Sequence, residues 1–140
     1  MNGRFFLDTN IFVYSFDRSA PAKARRALQL ICRAIETRKG IVSYQVVQEF
    51  FNVALWRFAI PMTLADAEQY LSTVFRPLMA IHSSQALCGE ALCLRDRFRL
   101  SWYDSLIVAA AIEGQCSVLY SEDFQAGQRF GELEVKNPFK

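Results

Sequence analysis

The sequence predicts a single α/β domain over residues 1–140, with a short, mostly parallel central sheet of four to five strands and helices on both faces. Three observations carry that prediction. Apolar runs of three or four residues alternate with longer segments whose apolar positions recur at helical spacing, the pattern of a parallel sheet covered on both sides. The 140 residues are 52% hydrophobic and include 12 Phe, 5 Tyr and 2 Trp, enough for one core of ordinary domain size. No internal repeat, low-complexity tract or Gly/Ser linker divides the chain.

Phe5-Phe6-Leu7 reads as the first strand and ends at Asp8. Over residues 21–38, Ala24, Leu28, Ile31 and Ile35 mark a helix face, and Pro21 suits its first turn, where a backbone N–H would have no helical partner. Gly40 ends that helix and Ile41-Val42 forms the second strand. Residues 44–58 read as helical and stop ahead of Pro61. Thr63-x-x-Asp66 has the spacing of a capping box and opens a helix towards Phe75, ended by Pro77. Leu78-Met79-Ala80-Ile81 is the third strand, followed by a helix over residues 84–98. Ser101-Trp102-Tyr103-Asp104 opens another that runs to Gly114. Ser117-Val118-Leu119-Tyr120 is the fourth strand, and Leu133-Glu134-Val135 forms a fifth at the edge. In open sheets of this kind, function gathers outside the carboxyl ends of the strands.

Composition closes several routes to function. The aromatic content is unlike that of a disordered chain, and a formal net charge of +2 is too small to announce a polyanionic partner. The single histidine, His82, excludes chemistry that needs two imidazoles, and no Gly-x-Ser-x-Gly elbow accompanies it. Cys32, Cys88, Cys93 and Cys116 include no Cys-x-x-Cys pair, so zinc is disfavoured and the four read as reduced, mostly core thiols. No stretch reaches the roughly 20 apolar residues of a membrane span, and Asp8 interrupts the N-terminus before a signal-peptide core could form. The expected location is the cytoplasm, with no membrane partner.

Four carboxylates stand in unusual places. Asp8, in Asp8-Thr9-Asn10, directly follows the first strand, where its ordinary reading is a helix N-cap. Glu49 is the only charged residue between Lys39 and Arg57; beside Gln45, Gln48 and Asn52 it could be part of a solvated stripe, yet it has no basic partner one turn away. Asp104 completes Ser101-x-x-Asp104 and suits a helix N-terminus, but the helix it opens is apolar on every side. Asp123, beside Glu122, lies just past the fourth strand. Asp8 and Asp123 follow strand ends, while Glu49 and Asp104 start or line helices leaving the same rim. Four carboxylates in one cleft cannot all ionise without a compensating cation. Oxygen donors with neither His nor Cys suit Mg²⁺ or Mn²⁺, an ion that orients water and steadies charge on a phosphodiester.

Asp8-Thr9-Asn10, the isolated Glu49, Trp102-Tyr103-Asp104 leading into an Ala-rich helix, Ser121-Glu122-Asp123-Phe124 and the tail Asn137-Pro138-Phe139 together resemble the PIN-domain ribonucleases, most closely the VapC-type toxins of bacterial toxin–antitoxin pairs. The resemblance runs over residues 5–139 and implies a PIN-like α/β fold. It carries the family's acidic positions onto Asp8, Glu49, Asp104 and Asp123 as catalytic and metal-binding residues, and its small polar helpers onto Thr9, Asn10 and Ser121. Whether Glu122 also reaches the metal stays open, as does which acid accepts a proton from water. The resemblance further implies Mg²⁺- or Mn²⁺-dependent cleavage within single-stranded or looped RNA, often tRNA or rRNA. It implies a homodimer, and inhibition by a small antitoxin lying across the groove.

RNA drawn to an acidic pit needs basic neighbours. Lys23, Arg25, Arg26, Arg33, Arg38 and Lys39 gather on one predicted helix and its end, and Arg95, Arg97 and Arg99 precede Asp104; each could equally be an ordinary solvated residue. Phe12, Tyr14 and Phe16 could stack bases or receive an antitoxin helix, although core packing explains any one of them, and His82 reads as structural or superficial. Setting four of the 14 acids aside at a metal leaves ten against 16 bases, a basic surplus of six around the pit. A haloacid-dehalogenase-like phosphatase would need a second Asp where Asn10 stands and a later Lys, yet none occurs between Lys39 and Lys136. A phosphoreceiver domain would need an Asp after the third strand, where Ile81-His82-Ser83 supplies none. The remaining alternative is a PIN-like module that binds RNA without cutting it.

Overall fold

A computed structural model describes residues 3–140. The elements run β1 (Phe5–Leu7), α1 (Thr9–Tyr14), α2 (Pro21–Thr37), β2 (Gly40–Ser43), α3 (Tyr44–Ala54), α4 (Leu64–Tyr70), a π-helical turn (Leu71–Phe75) and α5 (Arg76–Leu78). There follow β3 (Met79–Ile81), α6 (Gln85–Phe98), α7 (Trp102–Glu113), β4 (Val118–Tyr120), β5 (Arg129–Phe130) and β6 (Leu133–Lys136). The sheet order is β3-β2-β1-β4-β6-β5. Every neighbouring pair is parallel except β5 with β6, which form an antiparallel hairpin through Gly131 (φ 64°). The α/β class and mostly parallel sheet are therefore as predicted. The sixth strand, β5, has two residues and so carries no readable period of its own.

Two glycines show how the helices are layered. A Cβ on Gly40 would meet the Ala34 Cβ of α2 at 2.1 Å, and one on Gly114, at the end of α7, would meet Ile41 Cδ1 at 2.3 Å. Gly40 and Ile41 are consecutive in β2 and so face opposite sides of the sheet. Helix α2 thus lies on one face and α7 on the other. The face α2 turns inward is Ala27, Leu30, Ile31 and Ala34. That corrects the expected face, because Leu28 is more than half exposed.

Next to α2, α1 and α3 enclose an aromatic cluster. Phe50 stacks on Tyr70 at 5.0 Å, Phe12 meets Phe75 at 4.9 Å, and Phe16 and Phe58 close the outside. Helix α3 stops at Ala54, four residues short of expectation. Pro77 does not end its helix either: the Arg76 N–H reaches Leu71 O across the widened π turn, and the chain continues to Leu78. Of the cysteines only Cys116 is buried, its thiol pushed up to about 12 by burial, while Cys32 and Cys93 are exposed. The reading of mostly core thiols is corrected accordingly. Among the described residues, no helix is long and apolar enough to cross a membrane.

Candidate active site

The sheet grows outwards from β1 and β4, to β2 and β3 on one side and to β6 and β5 on the other. Strand order therefore reverses between β1 and β4, which opens a crevice at their carboxyl ends. Asp8 leaves β1 there, and its N–H donates to Tyr120 O of β4 at 3.1 Å. It is the N-cap of α1, with Oδ1 accepting from the Thr9 N–H at 2.7 Å, while Oδ2 accepts from Ser121 Oγ at 2.7 Å. The cap reading of Asp8 is thus realised, in a side chain that also lies at the crevice. Asp8 is 3% exposed. Burial pushes its carboxyl up to about 7 against the pull of the Ser121 and Thr9 bonds, and the charges of Asp123 and Glu49 add to the rise.

The other three acids arrive from separate elements. Glu49, on the second turn of α3, is half-buried and not part of a solvated stripe. Its Oε1 accepts from Thr9 Oγ1 at 2.6 Å and its Oε2 from Gln45 Nε2 at 3.3 Å; the same Gln45 nitrogen donates to Tyr103 O at 3.1 Å. Gln45 so ties α3 to the first turn of α7, where the Asp104 N–H donates to the Ser101 Oγ cap at 3.2 Å. Helix α7 leads into β4 and runs against it, which puts its N-terminus at the carboxyl edge of the sheet. Asp123 stands at the open rim, its N–H bonded to Ser121 Oγ at 3.1 Å. Surrounding protein and the charge of Asp104 push its carboxyl above the usual range, opposed by the nearby Asn10 amide.

Thr9 and Ser121 are therefore direct hydrogen-bond supports of the acids. Asn10 is different: its carboxamide is buried and, beyond a loose approach to the Asp123 carboxylate, has no hydrogen-bond partner among the described residues, and Ser43 Oγ at the end of β2 is buried without one. Buried polar groups in that state cost stability unless something else meets them. Glu122 turns away from the crevice to Tyr14 and Lys23. The sequence carried no signal for Gln45, whose role needs the approach of α7, or for the direction of Glu122.

Among the described residues, no three Asp, Glu, His or Cys side chains form a ready-made metal cage. The donors are nonetheless all hard oxygens, and the described ion pairs, Lys23–Glu122 and Arg129–Glu134, involve none of the four acids. With the buried Asn10 amide beside them, they suit a cation of the Mg²⁺ kind, which keeps much of its water and takes only one or two protein carboxylates directly. The basic residues divide. Helix α2 begins at this edge, but Lys23 and Arg26 are drawn to Glu122 and to Pro138 O on the side away from the crevice, and Arg25 is exposed on the outer face of the helix with Leu28 and Gln29. Arg38 and Lys39 lie at the opposite edge, where Lys39 O accepts from the Phe5 N–H, and cannot border it. Arg95, Arg97 and Arg99 are exposed where α6 turns into α7. Phe12 is buried, and exposed His82 packs edge-on against Tyr44.

Residues 5–129 match the family model described as PIN domain. Two solved structures share the fold. One is a toxin–antitoxin complex from Klebsiella pneumoniae, 21% identical with a TM-score of 0.66, the match covering 95% of this chain and 96% of that one. The other is VapC20 of Mycobacterium tuberculosis, a sarcin–ricin loop cleaving toxin, 22% identical with a TM-score of 0.58 and coverage of 85% and 89%. No curated protein sequence matches the chain.

Proposed function

Because the chain belongs to the PIN-domain family, we propose that it is an endoribonuclease of the toxin–antitoxin kind. In this reading Asp8, Glu49, Asp104 and Asp123 hold Mg²⁺ or Mn²⁺ for hydrolysis of RNA phosphodiester bonds. One observation carries the proposal. Four segments remote in sequence each deliver one carboxylate to the β1/β4 crevice, and the described ion pairs neutralise none of them. When bound, such an ion supplies Lewis acidity at a phosphoryl oxygen and a water that ionises near neutral pH.

The side chains prepare that place. Ser121 and the Thr9 N–H fix both oxygens of Asp8, while Thr9 Oγ1 and Gln45 fix those of Glu49. Asp123 remains open to solvent, on the side from which substrate and water arrive. RNA as substrate and an antitoxin as partner draw support from the two similar structures, one a toxin–antitoxin complex and the other a sarcin–ricin loop cleaving toxin. A tRNA or rRNA target, a homodimer and a cytoplasmic setting belong to the same reading.

Purified protein freed of any partner tests it, incubated with total RNA in Mn²⁺, in Mg²⁺ or in excess chelator. Discrete fragments are expected with metal only, and Asp8→Asn should lower the rate by about a hundredfold or more, roughly 3 kcal/mol of barrier. Intact RNA under every metal condition, with binding retained, would leave a non-cleaving RNA-binding module instead.

A further inference from the structure

Three consecutive residues after β4 point to three parts of the molecule. Ser121 turns inwards to Asp8, and Asp123 faces the crevice. Glu122 turns outwards across α1 and α2, where one carboxylate oxygen accepts from the Tyr14 hydroxyl at 2.5 Å and the other from Lys23 Nζ at 2.7 Å. The C-terminal tail covers this contact. Lys23 Nζ lies 4.2 Å from the Tyr14 ring centroid and 5.3 Å from that of Phe139, and the two rings meet edge-on at 5.1 Å. Arg26 Nε donates to Pro138 O at 3.3 Å and ties the same tail to α2.

A half-exposed ion pair adds little to stability on its own, so the cluster is a costly way to hold the fold together. Direction is what it fixes. Two donors from different helices clamp both oxygens of one carboxylate, and the turn carrying that carboxylate also carries Ser121 and Asp123. Swung the other way, Glu122 would add a fifth negative charge to the crevice.

We propose that Glu122 is a positioning residue: pegged to Tyr14 and Lys23 beneath Phe139, it orients the 121–123 turn so that Ser121 meets Asp8 and Asp123 faces the crevice. The functional part of this inference rests on reading the crevice as an RNA-cleaving metal centre; the geometric part does not.

The test compares full-length wild type with Glu122→Ala and with Tyr14→Phe/Lys23→Met, which removes the peg but leaves the Glu122 carboxylate. Amide hydrogen exchange is read at Asp123, whose N–H bonds to Ser121 Oγ, without metal or RNA. Both variants should speed that exchange at least about tenfold, a local opening that leaves core amides protected. Mn²⁺ affinity should fall about 10- to 100-fold in both, as for other groups that orient ligands, and kcat should fall while KM changes little. Unchanged exchange and Mn²⁺ affinity in Glu122→Ala would overturn the proposal. So would a loss of Mn²⁺ affinity confined to Glu122→Ala, because Glu122 would then be a ligand itself. If wild type cuts no RNA yet the exchange responds as expected, the peg stands and the nuclease reading falls.

Discussion

Helices α1 and α3 each serve two regions of opposite character. Towards the crevice they present Thr9, Asn10 and Glu49; towards the interior they present Ile11, Phe12 and Phe50. The interior region is a set of rings whose centroids lie between 4.9 and 6.5 Å apart, linking Phe12, Phe16, Phe50, Phe58, Tyr70 and Phe75. Every contact there adds to burial. The crevice works against burial, with Asp8 desolvated, the Asn10 amide buried and poorly partnered among the described residues, and acids raised by one another's charge. Glu49 and Phe50 are neighbours in sequence, yet one belongs to each region. The contrast shows how a small domain tolerates uncompensated charge: the same helices that carry it are anchored by a shared cluster of aromatic rings.

Removing the anchor should have the greatest effect. Phe50→Ala is expected to destabilise the fold by about 3–5 kcal/mol, read as a lower urea midpoint at unchanged slope. A loss below about 1 kcal/mol would mean that the ring cluster is not the anchor.

The next effect has the opposite sign. An unfolded Asp8 ionises near its ordinary value of 3.8, and the folded one near 7. Below the first value both states hold the proton and nothing is lost. Between the two values the folded chain binds more protons than the unfolded one, so metal-free stability falls as pH rises. Above 7 the whole penalty is present, at most about 4 kcal/mol. In chelator, wild type should therefore be less stable at pH 8 than at pH 5. Asp8→Asn should flatten that slope and exceed wild type at pH 8, although it loses cleavage. Wild-type stability that rises over this range would contradict the burial argument. Mn²⁺ should restore wild type at pH 8 and release protons on binding near pH 6.

The mildest change is Thr9→Val, which keeps shape but removes the hydroxyl donor to Glu49. About 1 kcal/mol of stability should be lost, together with a small drop in Mn²⁺ affinity. Calorimetric titration that finds wild-type affinity would remove Thr9 from the supports of the site.

How much of this was legible in the sequence varies residue by residue. The Ser101 and Thr63 caps form as their local spacing requires, because a capping bond spans three residues and needs nothing from the rest of the chain. Asp8 was legible because a carboxylate directly after an apolar strand has few places to go. Helix α1 was less visible: six residues show too little periodicity, and its inward face is recognisable only once Phe12 has met Phe50 and Phe75. On α2 the expected face was turned by one position, since Ala27 and Ala34 are core residues only because β2 brings Gly40 against the helix.

The one-dimensional pattern was sufficient for the class of fold, and it carried the reading of four carboxylates and a hard cation on which the proposed function rests. Those properties depend on local spacing and on residue type. Contact across the sheet settled the rest: which partners Lys23 and Arg26 take, the bridge that Gln45 makes between α3 and α7, and the outward turn of Glu122. Each joins segments separated by tens of residues, and the direction of a side chain on a short turn is set by partners that local sequence does not specify. The net charge of +2 illustrates the point, because the total says nothing of acids gathered at one crevice until the strand order has brought their segments together.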